Sequence, residues 1–457
     1  MQIRYMTKYP YQFIRAFVFI LCWLTGITIR AQQSDSLLQK ATLENVIEYA
    51  MKYQPLIQQS LIDQETTNTA IKSKLADWYP QINFNYIFLH NFLLQASKVP
   101  TAFTADGSGI VKFGATNNST LQFAATQNIF NRDVMLASST ATQVRIQSKQ
   151  NTSANKINLA VSVTKAFYDM LATIQQVKVG QGDVIRLKQS LKTAYDQYVG
   201  GIVDKTDYKR ASITLSNTQA TLKTNKELLK YKTEYLKQLM GYPIKAPLEI
   251  VYDTLQMENE IQLDTLQTVD FKERVEYKLL STQRNLQEAN VKYNQWAYLP
   301  TASLSGSYNL YYLNNSNSLG DIYRSNNPYS SAILNIGIPL FQGGKRSANI
   351  KQQKWVLKRL DWDIINLKNT VNSQYAQSLA AYKANLVTYL ALKQNVELAK
   401  EVYDIVQLQY KNGVKSYLEV ITAETDYRTA RINYFNALYA VLSSKIDVQK
   451  ALGQINY

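Results

Sequence analysis

Four short stretches of the chain alternate apolar and polar residues, while most of the rest repeats its apolar positions every three or four residues. In 81–89, Ile82, Phe84, Tyr86 and Phe88 alternate with Gln81, Asn83 and Asn85. In 301–312, Ala302, Leu304, Tyr308, Leu310 and Tyr312 alternate with Thr301, Ser303, Ser305, Ser307 and Asn309. Leu334, Ile336, Ile338 and Leu340 share one face of a third stretch, and Leu121, Phe123 and Ala125 are in phase in the weakest one. A period of two is the signature of strands, and it predicts strands at about 81–91, 119–130, 301–313 and 329–341. The intervening segments, about 92–118 and 314–328, are rich in Asn, Ser, Thr and Gly and read as loops.

The helical period dominates elsewhere. From Phe130 to Gly201 is 71 residues and from Phe341 to Gly413 is 72, with no proline inside either span. At about 1.5 Å per residue each helix would run roughly 100 Å. Val356, Leu360, Ile364, Leu367, Val371, Tyr375, Leu379, Tyr382, Leu386 and Leu390 set the apolar stripe of the second. Return helices such as 201–241 are too short to match these, so a return helix and an opening helix stacked end to end are expected beside each long one.

The same landmarks occur twice. Pro80 and Pro300 lie 220 residues apart, Phe130 and Phe341 211, Gly201 and Gly413 212, and Gly241 and Gly453 212. Four landmarks in one order at nearly one offset imply an internal duplication. Each copy reads helix (about 41–77; about 268–296), strand, loop, strand, long helix, Gly turn, return helix. The first repeat is 32–241 and the second 268–457, and 242–267, with Pro243 and Pro247, joins them as a connector midway along the stem.

Strands of about ten residues, apolar on one face and Ser/Thr/Asn on the other, suit a transmembrane β-barrel. Four strands cannot close a barrel, since about eight are the minimum, so several chains must contribute, and three would give twelve strands. Trp78, Tyr79, Trp296 and Tyr298 at the strand entrances fit an interfacial aromatic belt. A soluble or periplasmic coiled-coil scaffold is the alternative for the helical stripes, but it leaves the four alternating segments unexplained.

Composition narrows the chemistry. The chain's 16 Gly and 9 Pro are few for its 457 residues, about half the usual share, which favours a few very long elements. One His (His90) and one Cys (Cys22) exclude zinc sites, Cys–His nucleophiles, Fe–S clusters and disulfide frameworks. His90, at the outer end of the first strand, reads as a rim residue. Asp361 with Asp363, and Glu424 with Asp426, are paired acids on long helices without a Gly-rich loop or a metal partner, so no enzyme and no cofactor is expected. The formal charge of +16 is spread at helical spacing without a basic cluster, which reads as solvated faces and not as a nucleic-acid footprint.

Arg4, Lys8 and Arg15 precede the apolar run Phe17–Leu24. This reads as a signal peptide over 1–31, cut near Ala31. Its removal takes four basic residues, lowers the formal charge to +12 and leaves no cysteine, as befits the bacterial envelope. Nothing later has the length and apolarity of a membrane helix, so any membrane passage must use strands.

With these residues in view, the chain resembles TolC-like outer-membrane efflux ducts. The duplication, the Pro-initiated strands, the Tyr-x-x-Gly turns at Tyr198–Gly201 and Tyr410–Gly413 and the closing Leu239-Met240-Gly241 and Leu452-Gly453 carry the resemblance over about 38–453. It implies a mainly α homotrimer, its twelve-stranded outer-membrane β-barrel continuous with a twelve-helix periplasmic α-barrel. It implies a passive exit duct of a tripartite efflux or type I secretion system, served by an inner-membrane pump and a periplasmic adaptor. The adaptor would dock at the tip turns, on Gly201, Ile202, Gly413 and Val414. A polar network of Asp207, Tyr410 and Lys415 would hold the tip shut, with Glu419 forming an acidic constriction where Thr422 replaces a second acid. The cargo stays open between drugs, bile salts, fatty acids and polypeptides. Seven Met and one His argue mildly against a dedicated copper or silver exporter.

Overall fold

The computed structural model describes residues 37–38, 40–104, 106–315 and 319–457. The expected signal peptide, with Cys22, lies outside these. Two units are distinguished, Met1–Lys40 and Ala41–Tyr457, and every element below belongs to the second.

The chain opens with α1 (Leu43–Tyr53) and α2 (Pro55–Ala76), so the single helix expected over 41–77 is in fact two. The cause is Pro55: its ring pushes Gln54 out of the helical region, to ψ 125°. The Gln54 side chain then caps the second helix, accepting from the amides of Leu56 (2.5 Å) and Ile57 (3.2 Å). Next come β1 (Gln81–His90), the small hairpin β2 (Ala96–Lys98) and β3 (Ile110–Lys112), and β4 (Asn117–Phe130). That hairpin sits within the first loop, where no period-two signal announced it. The long helix α3 (Arg132–Val199) follows, then α4 (Lys205–Met240) and the short α5 (Thr254–Asn259) in the connector.

The second half has α6 (Val275–Gln295), β5 (Thr301–Asn314), β6 (Tyr329–Gly337), α7 (Lys345–Lys411) and α8 (Tyr417–Leu452). Two boundaries differ from expectation. The helix expected from 268 starts at Val275, after a 3₁₀ turn at Phe271–Glu273 that Asp270 caps through the Lys272 amide (2.9 Å). The strand expected to reach 341 stops at Gly337, because Pro339 has no amide to donate. The chain then swings into α7 through Gly343 and Gly344, at φ +54° and +81°.

The four main strands form one antiparallel sheet in the order β1-β4-β5-β6. Its register puts every apolar set on one face. Phe84 lies opposite Phe123, which lies opposite Tyr308, and Leu121 lies between Tyr86 and Leu310. Leu304 pairs with Leu334 and Ala302 with Ile336 on that same face. The other face carries Asn85, Gln122 and Asn309 in one row and Asn83, Ala124, Ser307 and Ser331 in the next. Its side chains bond across strands, Asn85 to Gln122 at 3.2 Å and Ser307 to Ser331 at 3.1 Å. Every residue of β1 and β6 is exposed. No helix among the described residues is long and apolar enough to cross a membrane.

Beneath the sheet, α3 runs beside α2 and α4, and α7 beside α6 and α8, while α3 also packs on α6 and α8. The long helices have 68 and 67 residues and the return helices 36 each. Each return helix ends in a left-handed glycine that abuts the start of an opening helix. At Gly241 (φ +68°) an added Cβ would lie 2.7 Å from the Tyr53 carbonyl oxygen, and at Gly453 (φ +78°) 3.3 Å from Arg274 Cγ. Arg274, buried at that second joint, donates to the Ala451 carbonyl (3.2 Å) and pairs with Glu276.

The connector clamps the middle of the stem. Tyr375 and Tyr382 of α7 donate to the carbonyls of Gln267 (2.7 Å) and Ile261 (2.9 Å). Glu258 of α5 accepts from Lys393 (2.6 Å) and from Tyr434 of α8. Burial alone would raise its carboxyl, but these hydrogen bonds outweigh that and hold it below the usual range.

The glycine joints predict an ordered pair of effects. Gly201→Ala, where an added Cβ meets nothing within 4 Å, costs about 1 kcal/mol for the left-handed backbone alone. Gly241→Ala adds a backbone collision and costs about 2–4 kcal/mol. Thermal unfolding of the two purified variants in detergent checks this, and equal losses would refute the butt joint.

Candidate functional site

The strongest concentration of expected site residues is the end of the stem away from the sheet, where α3 turns into α4 and α7 into α8. Both turns are built alike. In the first, the Ile202 amide donates to the Gln197 carbonyl (2.9 Å) and the Gly201 amide to that of Tyr198 (3.1 Å). In the second, Val414 donates to Gln409 (2.9 Å) and Gly413 to Tyr410 (2.9 Å). This is the Schellman closure, whose penultimate residue needs a left-handed backbone, and Gly201 and Gly413 both sit at φ +72°. Open space surrounds both glycines, so conformation and not close approach within the chain demands them here. Val199, Ile202, Leu408 and Val414 stand exposed around the turns.

Behind the turns, Ala194, Ala211 and Tyr417 form a small buried core on which Leu191, Tyr208, Tyr410 and Ile421 pack. Tyr410 and Tyr417 have ring centroids 5.7 Å apart. The Tyr410 hydroxyl donates to Gln197 Oε1 at 2.5 Å, so it ties the second turn to the first. Burial, with the Asp207 carboxylate nearby, raises its pKa.

The three expected network residues do not bond one another within the chain. Asp207 lies in the first turn of α4, beyond the N-cap Asp204, whose carboxylate accepts from the Thr206 amide (2.6 Å). Lys415 pairs with Glu419 (2.6 Å), four residues on. Glu419 also accepts from the Ser416 amide (2.9 Å), half of a capping box at the start of α8. The Lys415 hydrogen bond, then that amide, holds the Glu419 carboxyl down at about 2. Thr422 spends its hydroxyl on the Leu418 carbonyl (2.9 Å).

A second charged group lies deeper, of which the sequence singled out only Glu424, and that beside Asp426. Asp183 of α3 and Glu424 of α8 are buried, and Arg186 bridges them, touching Asp183 and standing 3.4 Å from Glu424. Burial raises both carboxyls, and the arginines offset this in part. The available signal was position: Glu424 follows Tyr417 by seven residues, in the stripe that should be apolar.

The four residues expected to form an aromatic belt gather at the junction of sheet and stem. Trp78 and Tyr79 close the turn before β1, and Trp296 and Tyr298 form a 3₁₀ turn before β5. Tyr298 lies under the Arg346 guanidinium, 4.5 Å from centroid to carbon. Among the described residues no cluster of three or more His, Cys, Asp or Glu could hold a metal.

A family model described as outer membrane efflux protein matches residues 46–242 and 280–454. Outer membrane protein TolC of Escherichia coli K12 is 22% identical over 438 residues, covering 92% of this chain and 84% of its own. The crystal structure of VceC from Vibrio cholerae superimposes with a TM-score of 0.68 at 14% identity, over 90% of this chain and 96% of that one. The CmeC outer membrane channel of Campylobacter jejuni gives 0.71 at 15%, over 90% and 85%. At such identities the structural likeness establishes the fold.

The Glu419 contacts set a pH dependence. A carboxyl held below its unfolded value stabilises the fold above that value, near 4.5, and the stabilisation is lost as pH falls toward 2. Glu419→Gln should therefore lower the unfolding temperature at pH 6, and the difference from wild type should shrink between pH 4.5 and 2.5. A difference that does not vary with pH would refute the pairing.

Proposed function

We propose the following role for the chain, which belongs to the outer membrane efflux protein family and resides in the outer membrane: three copies make one passive exit duct. Their sheets would close a twelve-stranded barrel, apolar face to lipid and polar face to the lumen, and their helices would continue it as a periplasmic tunnel of twelve helices. The observation that carries this reading is the four-stranded sheet, two-faced and unpaired at both edges, feeding helices of about 100 Å. Hydrocarbon tolerates strands only when every edge is paired, and the internal duplication supplies each half of the wall with the same elements.

The tip is the regulated end. Exposed Ile202 and Val414 beside Gly201 and Gly413 offer a small apolar surface to a periplasmic adaptor, which couples the duct to an inner-membrane pump. Asp207, Tyr410 and Lys415 would close the passage between copies. Glu419 would ring it with three carboxylates, each partly neutralised by its own Lys415. Charged rings of this kind set ion preference in narrow aqueous pores. The chain does no chemistry and needs no cofactor.

Single-channel recording of the detergent-extracted protein in a planar bilayer tests the role. The expected result is a small cation-selective conductance that rises in the Asp207→Ala/Lys415→Ala variant. Lys415→Ala alone should strengthen cation preference by unmasking Glu419, and Glu419→Ala should abolish it. A conducting wild type indifferent to all three variants would remove these gate residues. Failure of folded protein to insert would remove the duct.

A further inference from the structure

The connector and α1 enclose a cavity that the proposed duct does not use. Its volume is about 910 Å³, within the range of small-molecule sites. One wall is α1. Val46, Tyr49 and Ala50 of that helix are buried, whereas Leu43, Ile47 and Met51 form a second apolar stripe at steps of four, half-buried and lining the cavity. Val251, Tyr252 and Met257 of the connector supply the other side. Phe167 of α3, fully buried, and Tyr457 complete the apolar lining.

The charge of the lining has one sign. Apart from the two tyrosines, its ionisable side chains are Glu44, Glu48, Asp253 and Glu260, and no Lys, Arg or His lines it among the described residues. Glu44 and Glu48 are exposed, one helical turn apart, beside the apolar stripe of α1. Basic groups stand outside the lining. Lys178 Nζ is 4.9 Å from the Tyr252 ring centroid and Lys156 Nζ 5.6 Å from that of Tyr457, while Lys445 donates to the Glu260 carbonyl. Both rings are therefore placed to accept a cation. Four carboxylates disfavour an anion. An inorganic cation would gain nothing from the apolar walls, and no three acids here form a metal cluster. What fits is a molecule that is apolar over most of its surface and positive at one end.

We propose that this cavity binds an amphipathic organic cation, a small molecule with an aromatic or aliphatic body and one quaternary or protonated nitrogen. The body lies along the stripe of Leu43, Ile47 and Met51, against Met257 and Phe167. The charge lies beside Glu44 and Glu48, with the Tyr252 ring as a further contact. The site is complete within one chain, so it does not rest on the three-copy duct. A ligand there joins α1 to the connector, the segment that clamps the middle of the stem, and so stabilises the folded chain by mass action.

The test is titration of the purified full chain, in an uncharged maltoside detergent, with berberine, a permanently cationic aromatic dye whose fluorescence rises out of water. The expected result is saturable binding at one site per chain, which the anionic dye anilinonaphthalene sulfonate does not displace. Glu44→Gln/Glu48→Gln should weaken binding about 5-fold at low salt, as the loss of two partly exposed opposite charges does. Ile47→Arg, which puts a cation into the cavity, should abolish it. Berberine should also raise the unfolding temperature of the wild type and leave that of Ile47→Arg unchanged, a readout that shows at once whether the variant folds. Binding unaltered in both variants would place the dye in the micelle or elsewhere on the chain and overturn the site. Displacement by the anionic dye would leave an apolar hollow without charge preference and overturn the assignment. Absence of saturable binding to the folded wild type would overturn it as well. None of these readouts depends on insertion or conductance, so the site and the duct stand or fall separately.

Discussion

Backbone pairing in a medium without water is the constraint from which the architecture follows. β1 and β6 each present a free edge of ten and nine residues, and an unsatisfied amide or carbonyl in hydrocarbon costs several kcal/mol. No side-chain arrangement within one copy can offset such a row. The register makes the same demand from another direction: one face is fit for lipid and the other for water, so the sheet needs both surroundings at once. The proposed closed wall of several copies would meet both conditions. The edges also dictate where the helices go, because α2 feeds one and α7 leaves the other.

Tyrosine answers the corresponding problem in the stem. Tyr375, Tyr382, Tyr389, Tyr403 and Tyr410 recur at multiples of seven along α7, with Val396 filling the missing place, and a strict seven-residue repeat keeps one face of a helix turned to its partner through a left-handed supercoil. A tyrosine at such a site fills space like a core residue and still carries a hydroxyl to its rim. Here those hydroxyls reach the carbonyls of the connector near the middle and Gln197 at the tip. The same side chains thus serve as packing along the seam and as polar ties at the places where helices meet irregular backbone.

What the sequence made legible followed from period and breakers. The four strands could be read because their alternation is clean, and the joints because Gly recurs at fixed offsets. The break at Gln54 was also readable, since Pro55 disfavours a helical residue before it, but apolar spacing on both sides concealed it. The early end of β6 has the same kind of cause, apolar Ile338 and Leu340 extending a pattern that Pro339 interrupts. At the tip, spacing located the turns but could not assign partners. Lys415 and Glu419 stand four apart on the chain and pair locally, whereas Tyr410 finds Gln197 across 213 residues, which no local pattern encodes. Asp183 and Glu424 come together only once α3 and α8 are packed.

The two charged groups at this end differ in what it costs to disturb them, and the difference bears on the opening proposed for the tip. Lys415 and Glu419 are both substantially exposed, and solvent screens such pairs, so re-pairing Lys415 with another carboxylate costs little. Asp183, Arg186 and Glu424 are largely enclosed, and removing one partner of a buried pair costs about 3–5 kcal/mol. The proposed docking at the turns would disturb the first and leave the second in place. Asp183 lies 18 residues above Gly201, about 27 Å along the helix. Below that level the helices can shift and re-pair their surface charges. At that level the proposed opening would have to move α3 and α8 together, with the buried Asp183–Arg186–Glu424 cluster intact.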